Sequence, residues 1–481
     1  MRTAGRQNPV PAIAARQRGA ALLVALLVLI LAAAAMFSRD VARRVGKASH
    51  DDEVAAAMQL AKDALLGYAL TFGDRNPGEY GFLPCPDLDA SGDEGAADAA
   101  GCGPADQSVL GRVPWRTLGL APRPADTRDC LWLAVSGGYK NGANKTAMLN
   151  ADTRGLFEVF AQDASTYLAG PAPADRAVAV LIAPGAVLAG QNRTPAAGTA
   201  QCGGNYAANG YLDAVGGIDN AVVAPSPDVI DRFAIGPEPG ANDRVLTITR
   251  REIADAYYAR ADFVQSLTDL ATAVAGCVAD YGLKNPGGAT DLRLPWPAPV
   301  NLTDYRVAAE YDDTPVGELS GRVPDGVNDS NLQTGNPVAN VLSDCDSIAV
   351  PTWTPTMALM WQHWKDHLFY AVADGFKPDA VPPIACGTCL SVDGTATLAG
   401  IVMLAGPALP APGQVRDASP IDPDTRSSIS NYVEGRNASN HPNVGGGADY
   451  ETGTAGPTFN DVLICIDDDL SVFPCTDAAG H

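Results

Sequence analysis

The chain has 481 residues with 33 basic and 55 acidic side chains, a net charge of −22. That balance excludes nucleic acid as the expected partner, because phosphate contacts need a basic surface. A hydrophobic content of 46% is enough for real cores, and 49 glycines with 37 prolines predict many turns and long surface loops.

Arg2, Arg6, Arg16 and Arg18 lead to Gly19, with no acidic residue before it. An uncharged run then extends from Ala20 to Phe37. At about 1.5 Å per residue it reaches roughly 27 Å, the thickness of a bilayer core. The basic flank predicts that the rest of the chain crosses. The residues alone leave an ordinary signal anchor or a signal peptide cleaved near Ala32–Ala35. The expectation is a single-pass inner-membrane protein with its C-terminal bulk in the periplasm. Residues 1–19 are the leader and 20–37 the transmembrane helix.

Two modules follow, 38–250 and 251–481. In the first, Val54, Met58, Ala61, Leu65 and Tyr68 recur at helical spacing. Asp87, Asp89, Ser91, Asp93 and Asp98 then fall at positions 1, 3, 5, 7 and 12 of a loop with Gly92 at position 6. This is the ligand spacing of a Ca²⁺ loop, although position 12 is Asp rather than Glu. A solvated acidic loop is the alternative. Short β-type runs follow at Leu131–Val135, Ala177–Ile182 and Val245–Ile248. In the second module, Thr249-x-x-Glu252 is a capping-box signal for the next helix. Phe263, Leu267, Leu270, Val274, Cys277 and Tyr281 form its apolar stripe, and the helix is expected to stop near Gly282. The later β-type runs are Leu368–Val372, Ile401–Leu404 and Val462–Ile466.

The modules repeat each other. Leu83-Pro-Cys-Pro86 recurs as Leu294-Pro-Trp-Pro297, and Gly111-Arg-Val-Pro114 as Gly321-Arg-Val-Pro324. Leu131 to Lys140 matches Leu368 to Lys377; Val180 to Gly185 with Gln191 matches Val402 to Pro407 with Gln414; Asn242 to Ile248 matches Asn460 to Ile466. Arg112 and Arg322 recur and are expected to pair with a buried acid. Trp115, Trp132 and Trp296 lie in the repeats and are expected in the core.

Ten cysteines, an even number in a chain read as exported, predict disulfides. The expected pairs are Cys85–Cys102, Cys130–Cys202, Cys277–Cys345 and Cys465–Cys475. Cys386 and Cys389 have CxxC spacing in a loop-like context and are expected as a structural bridge rather than a redox or metal motif. Asp467-Asp-Asp469 is expected as a turn inside the last loop.

The junction Arg16-Gln-Arg-Gly19–Ala20-Ala-Leu-Leu-Val24 resembles a type IV prepilin leader, most of all those of tip-type minor pilins and K-type minor pseudopilins of type II secretion. The resemblance implies cleavage between Gly19 and Ala20 by a prepilin peptidase with the helix retained, other pilins or pseudopilins as partners, and a C-terminal bulk in the periplasm or on an extracellular filament. Major pilins carry Glu at the fifth mature position, where this chain has Val24, which points to a rare or terminal subunit. Pseudopilins often carry a Ca²⁺ loop, and many pilins end in a disulfide-bounded loop like Cys465–Cys475. Segments between Gly67 and Lys140 also resemble a group of large pilin-like proteins. The implied fold is α+β: an N-terminal transmembrane helix continuing into a long amphipathic helix packed on a small antiparallel sheet, duplicated in tandem. The implied role is a membrane-anchored structural subunit at a filament tip. A membrane-tethered binding or adhesion module is the alternative.

No enzyme is expected. His363-Trp-Lys-Asp-His367 sets two imidazoles at i and i+4 near Asp366, but lacks the glutamate of a zinc-hydrolase motif, so these residues are expected on a helix surface or boundary. Ser136-Gly-Gly lacks the first glycine of a nucleophile elbow.

Overall fold

The repeated β-branched and aromatic runs become inner strands of two sheets in the computed structural model of this chain. The structure describes residues 50–89, 93–123, 129–196, 199–236, 240–284, 292–314, 317–328, 338–346, 351–381, 384–411, 413–416 and 423–476. Residues 1–57 with 124–127 make one unit, of which the helical residues 50–57 are described; residues 58–123 and 128–481 make the other. Both sequence repeats lie in this larger unit.

Its first strands are β1 (Val109–Arg112), β2 (Trp132–Val135), β3 (Phe157–Phe160), β4 (Tyr167–Ala169), β5 (Ala177–Ala183), β6 (Asp231–Ala234) and β7 (Arg244–Thr249). They form one sheet in the order β6-β3-β5-β2-β1, with β7 on β5 and β4 on β3. The second sheet contains β8 (Ser320–Arg322), β9 (Leu368–Val372), β10 (Leu390–Val392), β11 (Thr395–Leu404), β12 (Asp449–Tyr450), β13 (Val462–Asp467) and β14 (Val472–Pro474). Its order is β8-β9-β11-β10-β12, with β13 between β11 and β14. The shared kernel is antiparallel in both sheets: β1-β2-β5-β7 and β8-β9-β11-β13.

Register corrects one sequence match. Arg112 faces Trp132, which faces Ile182. Arg322 faces Phe369, which faces Met403. Ile182 therefore corresponds to Met403, one residue away from the match that aligned Val180 with Val402. The slip matters because a shift of one residue moves every side chain to the opposite face.

The sheets are larger than the small antiparallel sheet expected, and they are mixed. β6 runs parallel to β3, and β12 parallel to β10. β3 comes from a segment outside the repeats whose residues Phe157, Glu158, Val159 and Phe160 are all buried. The first sheet's core joins Trp132, Phe157, Val180, Ile182, Tyr211 and Phe233.

Helix α1 within the larger unit spans residues 58–75, and Met58, Ala61, Leu65, Ala69 and Phe72 are buried. The stripe drifts from Tyr68 to Ala69, leaving the Tyr68 hydroxyl to accept a bond from Asn141 Nδ2 (3.0 Å). The Thr249–Glu252 capping box is present, but it caps a short helix, α2 (Arg250–Tyr258). The long helix α3 (Ala261–Lys284) starts anew after it. Its whole predicted stripe, Phe263 to Tyr281, is buried and packs on β11, β13 and β14. Each large apolar side chain so buried contributes roughly 1.5–3 kcal/mol.

The expected transmembrane helix requires correction. Among the described residues, no helix is long and apolar enough to cross a membrane. α3 has the length, but Asp262, Asp269 and Asp280 interrupt its apolar run. Leader residues Gly19 and Ala20 and the run Ala20–Phe37 lie outside the described residues. The fold as described is sheet-rich, and the single-pass inner-membrane assignment has no helix in it to carry it.

Candidate functional site

Each repeat folds a polar strap over its sheet around one arginine. Arg193 Nη1 donates to Gly185 O (3.0 Å), and its Nη2 to Gln191 Oε1 (2.9 Å) and Tyr211 O (3.2 Å). Arg416 Nη1 donates to Gly406 O (2.8 Å), and its Nη2 to Gln414 Oε1 (2.9 Å) and Tyr432 O (3.1 Å). The Nε groups donate to Gly210 O and Asn431 O. Each guanidinium lies over the ring of its tyrosine, at 4.8 Å for Tyr211 and 4.6 Å for Tyr432. Glycine is needed at 185 and 406, where a Cβ would meet the Asn242 and Asn460 side chains at 2.3 and 2.5 Å. The sequence signal for this strap is Gly190-Gln-Asn-Arg193 against Gly413-Gln-Val-Arg416.

The straps differ in their acids. Arg193 pairs with Asp129 of its own repeat at 2.6 Å, whereas Arg416 lies 3.6 Å from Asp152 of the first repeat. Asp152 also meets His367 Nε2 at 2.9 Å, an ion-pair distance without hydrogen-bond geometry. Beside it, Arg426 pairs with Asp366, whose Oδ1 accepts from Asn150 Nδ2 (2.8 Å). Asn150 also donates to His363 O (2.8 Å), and His363 Nδ1 accepts from Leu149 N (3.0 Å). The two repeats are thus joined through a buried polar network. Burial alone would raise the Asp152 carboxyl, but Arg416 and His367 outweigh it and hold it well below the usual carboxylate range. Burial, with Lys365 and Lys145 nearby, pushes the His363 imidazole down to about 3.

This corrects the expectation of a helix surface for His363, Asp366 and His367, which are all buried. α4 (Pro355–Trp364) ends in a 3₁₀ turn over Lys365–His367, so the i,i+4 relation of a continuous helix is lost. The imidazoles diverge, one to Leu149 and one to Asp152. Asp152, Asp366 and His367 do offer three ligand atoms within 4.8 Å of one another. Two guanidinium groups already neutralise their carboxylates, and a divalent cation would have to sit against both. We therefore assign the cluster to ion pairing.

The predicted calcium-loop residues are spread among different partners. Asp87 is buried, and its Oδ2 accepts from Gly95 N (2.8 Å) and Tyr206 Oη (2.9 Å). Asp89 is exposed, and Ser91 lies outside the described residues. Asp93 pairs with Arg116 at 3.3 Å, and Asp98 Oδ1 accepts from Gly101 N (2.8 Å). Asp467 and Asp469 accept backbone bonds in the turn between β13 and β14.

Arg112 and Arg322 are buried, but acids are not their main partners. Arg112 donates to the carbonyls of Gly203 and Asn205, with Glu94 at 3.9 Å. Arg322 donates to the carbonyls of Val300, Asp366 and Arg426 and sits among the rings of Tyr305, Phe369 and Tyr432. Trp132 and Trp296 are buried; Trp115 is half-buried under Arg116. The cysteines are joined as Cys85–Cys102, Cys130–Cys202, Cys277–Cys345, Cys386–Cys389 and Cys465–Cys475.

An open pocket of about 500 Å³ lies beside the outer strand β4, lined by Tyr167, Leu168, Pro171, Asp175, Thr249 and Arg251. None of the sequence-predicted site residues lines it. No protein-family model, curated protein or solved structure matches the chain.

Proposed function

We propose that this chain is a structural subunit of a pilin-like or pseudopilin-like filament, of the type IV pilus or type II secretion kind, placed at the filament end. The observation that carries this reading is the duplicated strand kernel, whose second copy is covered by a long helix, ends in the Cys465–Cys475 hairpin and is joined to the first copy by a buried network. Such a network favours a rigid double head over two domains that move against each other. A bulky double head fits an end position, where no subunit stacks above it. Five disulfides fit an oxidising compartment.

N-terminal sequencing of the native protein, together with mass spectrometry of sheared filaments, tests the reading. A mature N-terminus at Ala20 and low-abundance recovery with filaments are expected. An N-terminus elsewhere, and absence from filament fractions, would refute it. The pocket beside Tyr167 and Leu168, both exposed, favours a second reading as a binding or adhesion module. Ligand binding lost on Tyr167→Ala, without filament association, would select that alternative.

A further inference from the structure

Both straps end on a buried pair of carboxyl groups built the same way. In the first repeat, Asp213 Oδ1 accepts from Gln191 Nε2 (2.8 Å), and its Oδ2 from the backbone N–H of Asn242 (2.5 Å) and Asp243 (3.1 Å). Asp243 Oδ2 accepts from Asp213 N (2.7 Å) and Asn220 Nδ2 (3.0 Å). In the second, Glu434 accepts from Gln414 Nε2 (2.6 Å) and Asn460 N (2.9 Å). Asp461 Oδ2 accepts from Glu434 N (2.9 Å) and Asn437 Nδ2 (2.8 Å).

One oxygen is left over in each pair, and it is the same one. Asp243 Oδ1 and Asp461 Oδ1 are buried and meet no donor. Their residues are 1% and 8% exposed, so solvent does not supply one. An ionised oxygen left in this state is costly, yet the arrangement occurs in both repeats. A calcium ion would need about six to eight oxygen ligands, and the remaining carboxylate oxygens are committed to N–H donors. One proton removes the charge without any new ligand.

We propose that each repeat closes on a proton: Asp243 and Asp461 are carried as neutral carboxylic acids beside Asp213 and Glu434, and loss of those protons loosens each strap from the start of β7 or β13. Among the described residues, Asp213 and Arg193 act on Asp243, and Glu434 acts on Asp461. Burial dominates both sites and pushes Asp243 up to about 7 and Asp461 up to about 8, with the neighbouring carboxylates acting in the same direction. Because both are raised, their contribution to stability is full below the ordinary carboxylate range. It is lost as pH rises through these values. The device does not depend on a filament role.

The test measures melting temperature from about pH 5 to pH 9 on the full chain and on Asp243→Asn, Asp461→Asn and the double variant, since Asn mimics the neutral acid. Wild-type melting temperature is expected to fall as pH rises, by roughly half as much in each single variant and hardly at all in the double variant. A double variant that keeps the wild-type slope would overturn the proposal. Should the variants misfold, infrared spectroscopy of the ¹³C-aspartate-labelled wild type decides. A protonated-carboxyl C=O band that persists at mildly acidic pH, well above the ordinary aspartate range, and bleaches towards pH 9 is expected; its absence refutes the proposal.

Discussion

Arg193 and Arg416 hold equivalent places and make matching hydrogen bonds, yet Arg193 takes its carboxylate from its own repeat and Arg416 takes Asp152 from the other. The same strap is thus local in one module and a cross-link in the second. Asp152→Asn leaves Arg416 and His367 buried without their acid, and a loss of about 3–5 kcal/mol is expected. Asp129 is partly exposed, at 19%, so Asp129→Asn is expected to cost about 1 kcal/mol or less. Urea denaturation of both variants checks the difference, and equal losses would contradict the cross-link.

Arg322 offers a second comparison. Its guanidinium is fully buried and bonded to three carbonyls from three segments. Lysine cannot reproduce that planar fork or stack equally among the rings. Arg322→Lys is expected to cost about 2–4 kcal/mol, close to the loss for Arg322→Met, by the same denaturation assay. Full stability in the lysine variant would show that charge alone suffices.

Acid stability follows from His363. Its folded value of about 3 lies below the usual range for histidine, so the unfolded chain binds the proton first as pH falls. The contribution of His363 is therefore complete above about pH 6.5 and is lost on acidification toward 3. His363→Gln keeps an acceptor for Leu149 N and is expected to flatten the acid limb of a stability–pH curve between about pH 6.5 and 4. An unchanged limb would exclude this residue as its source.

The disulfides differ in the length of chain they close. Cys130–Cys202 spans 72 residues and Cys386–Cys389 only 3. Loop-closure entropy predicts losses of about 4 and about 1.5 kcal/mol when each pair is replaced by serine. Denaturant midpoints of the two double variants check the order. Module two has ions where module one has the longer bridge. His367 follows Asp366 as Cys130 follows Asp129, and Arg322 bonds Arg426 O where Arg112 bonds Gly203 O, next to Cys202.

Much of the kernel was legible in the sequence because it is written in local terms. The stripe from Phe263 to Tyr281 has helical period, and all six residues are buried. The Thr249–Glu252 box needs only neighbours three residues apart, and it forms. Two repeated segments carry β2 and β9 because both present apolar residues in runs bounded by turns. The strap is half legible in sequence, since Gly190-Gln191 and Gly413-Gln414 repeat while the role of Arg193 and Arg416 depends on carbonyls that only the fold brings to them.

Sequence alone therefore determined the repeated segments, six of the eight kernel strands and the buried stripe of α3, since periodicity and turn chemistry act over a few residues. Tertiary structure alone decided the rest. The one-residue register of β5 against β11 depends on which strands pair. The divergence of His363 and His367 depends on a 3₁₀ turn ending α4. Asp152 meets Arg416 and His367 across more than 200 residues of chain. No local pattern encodes such a contact, because its energy arises only when the surrounding core has removed water from both charges.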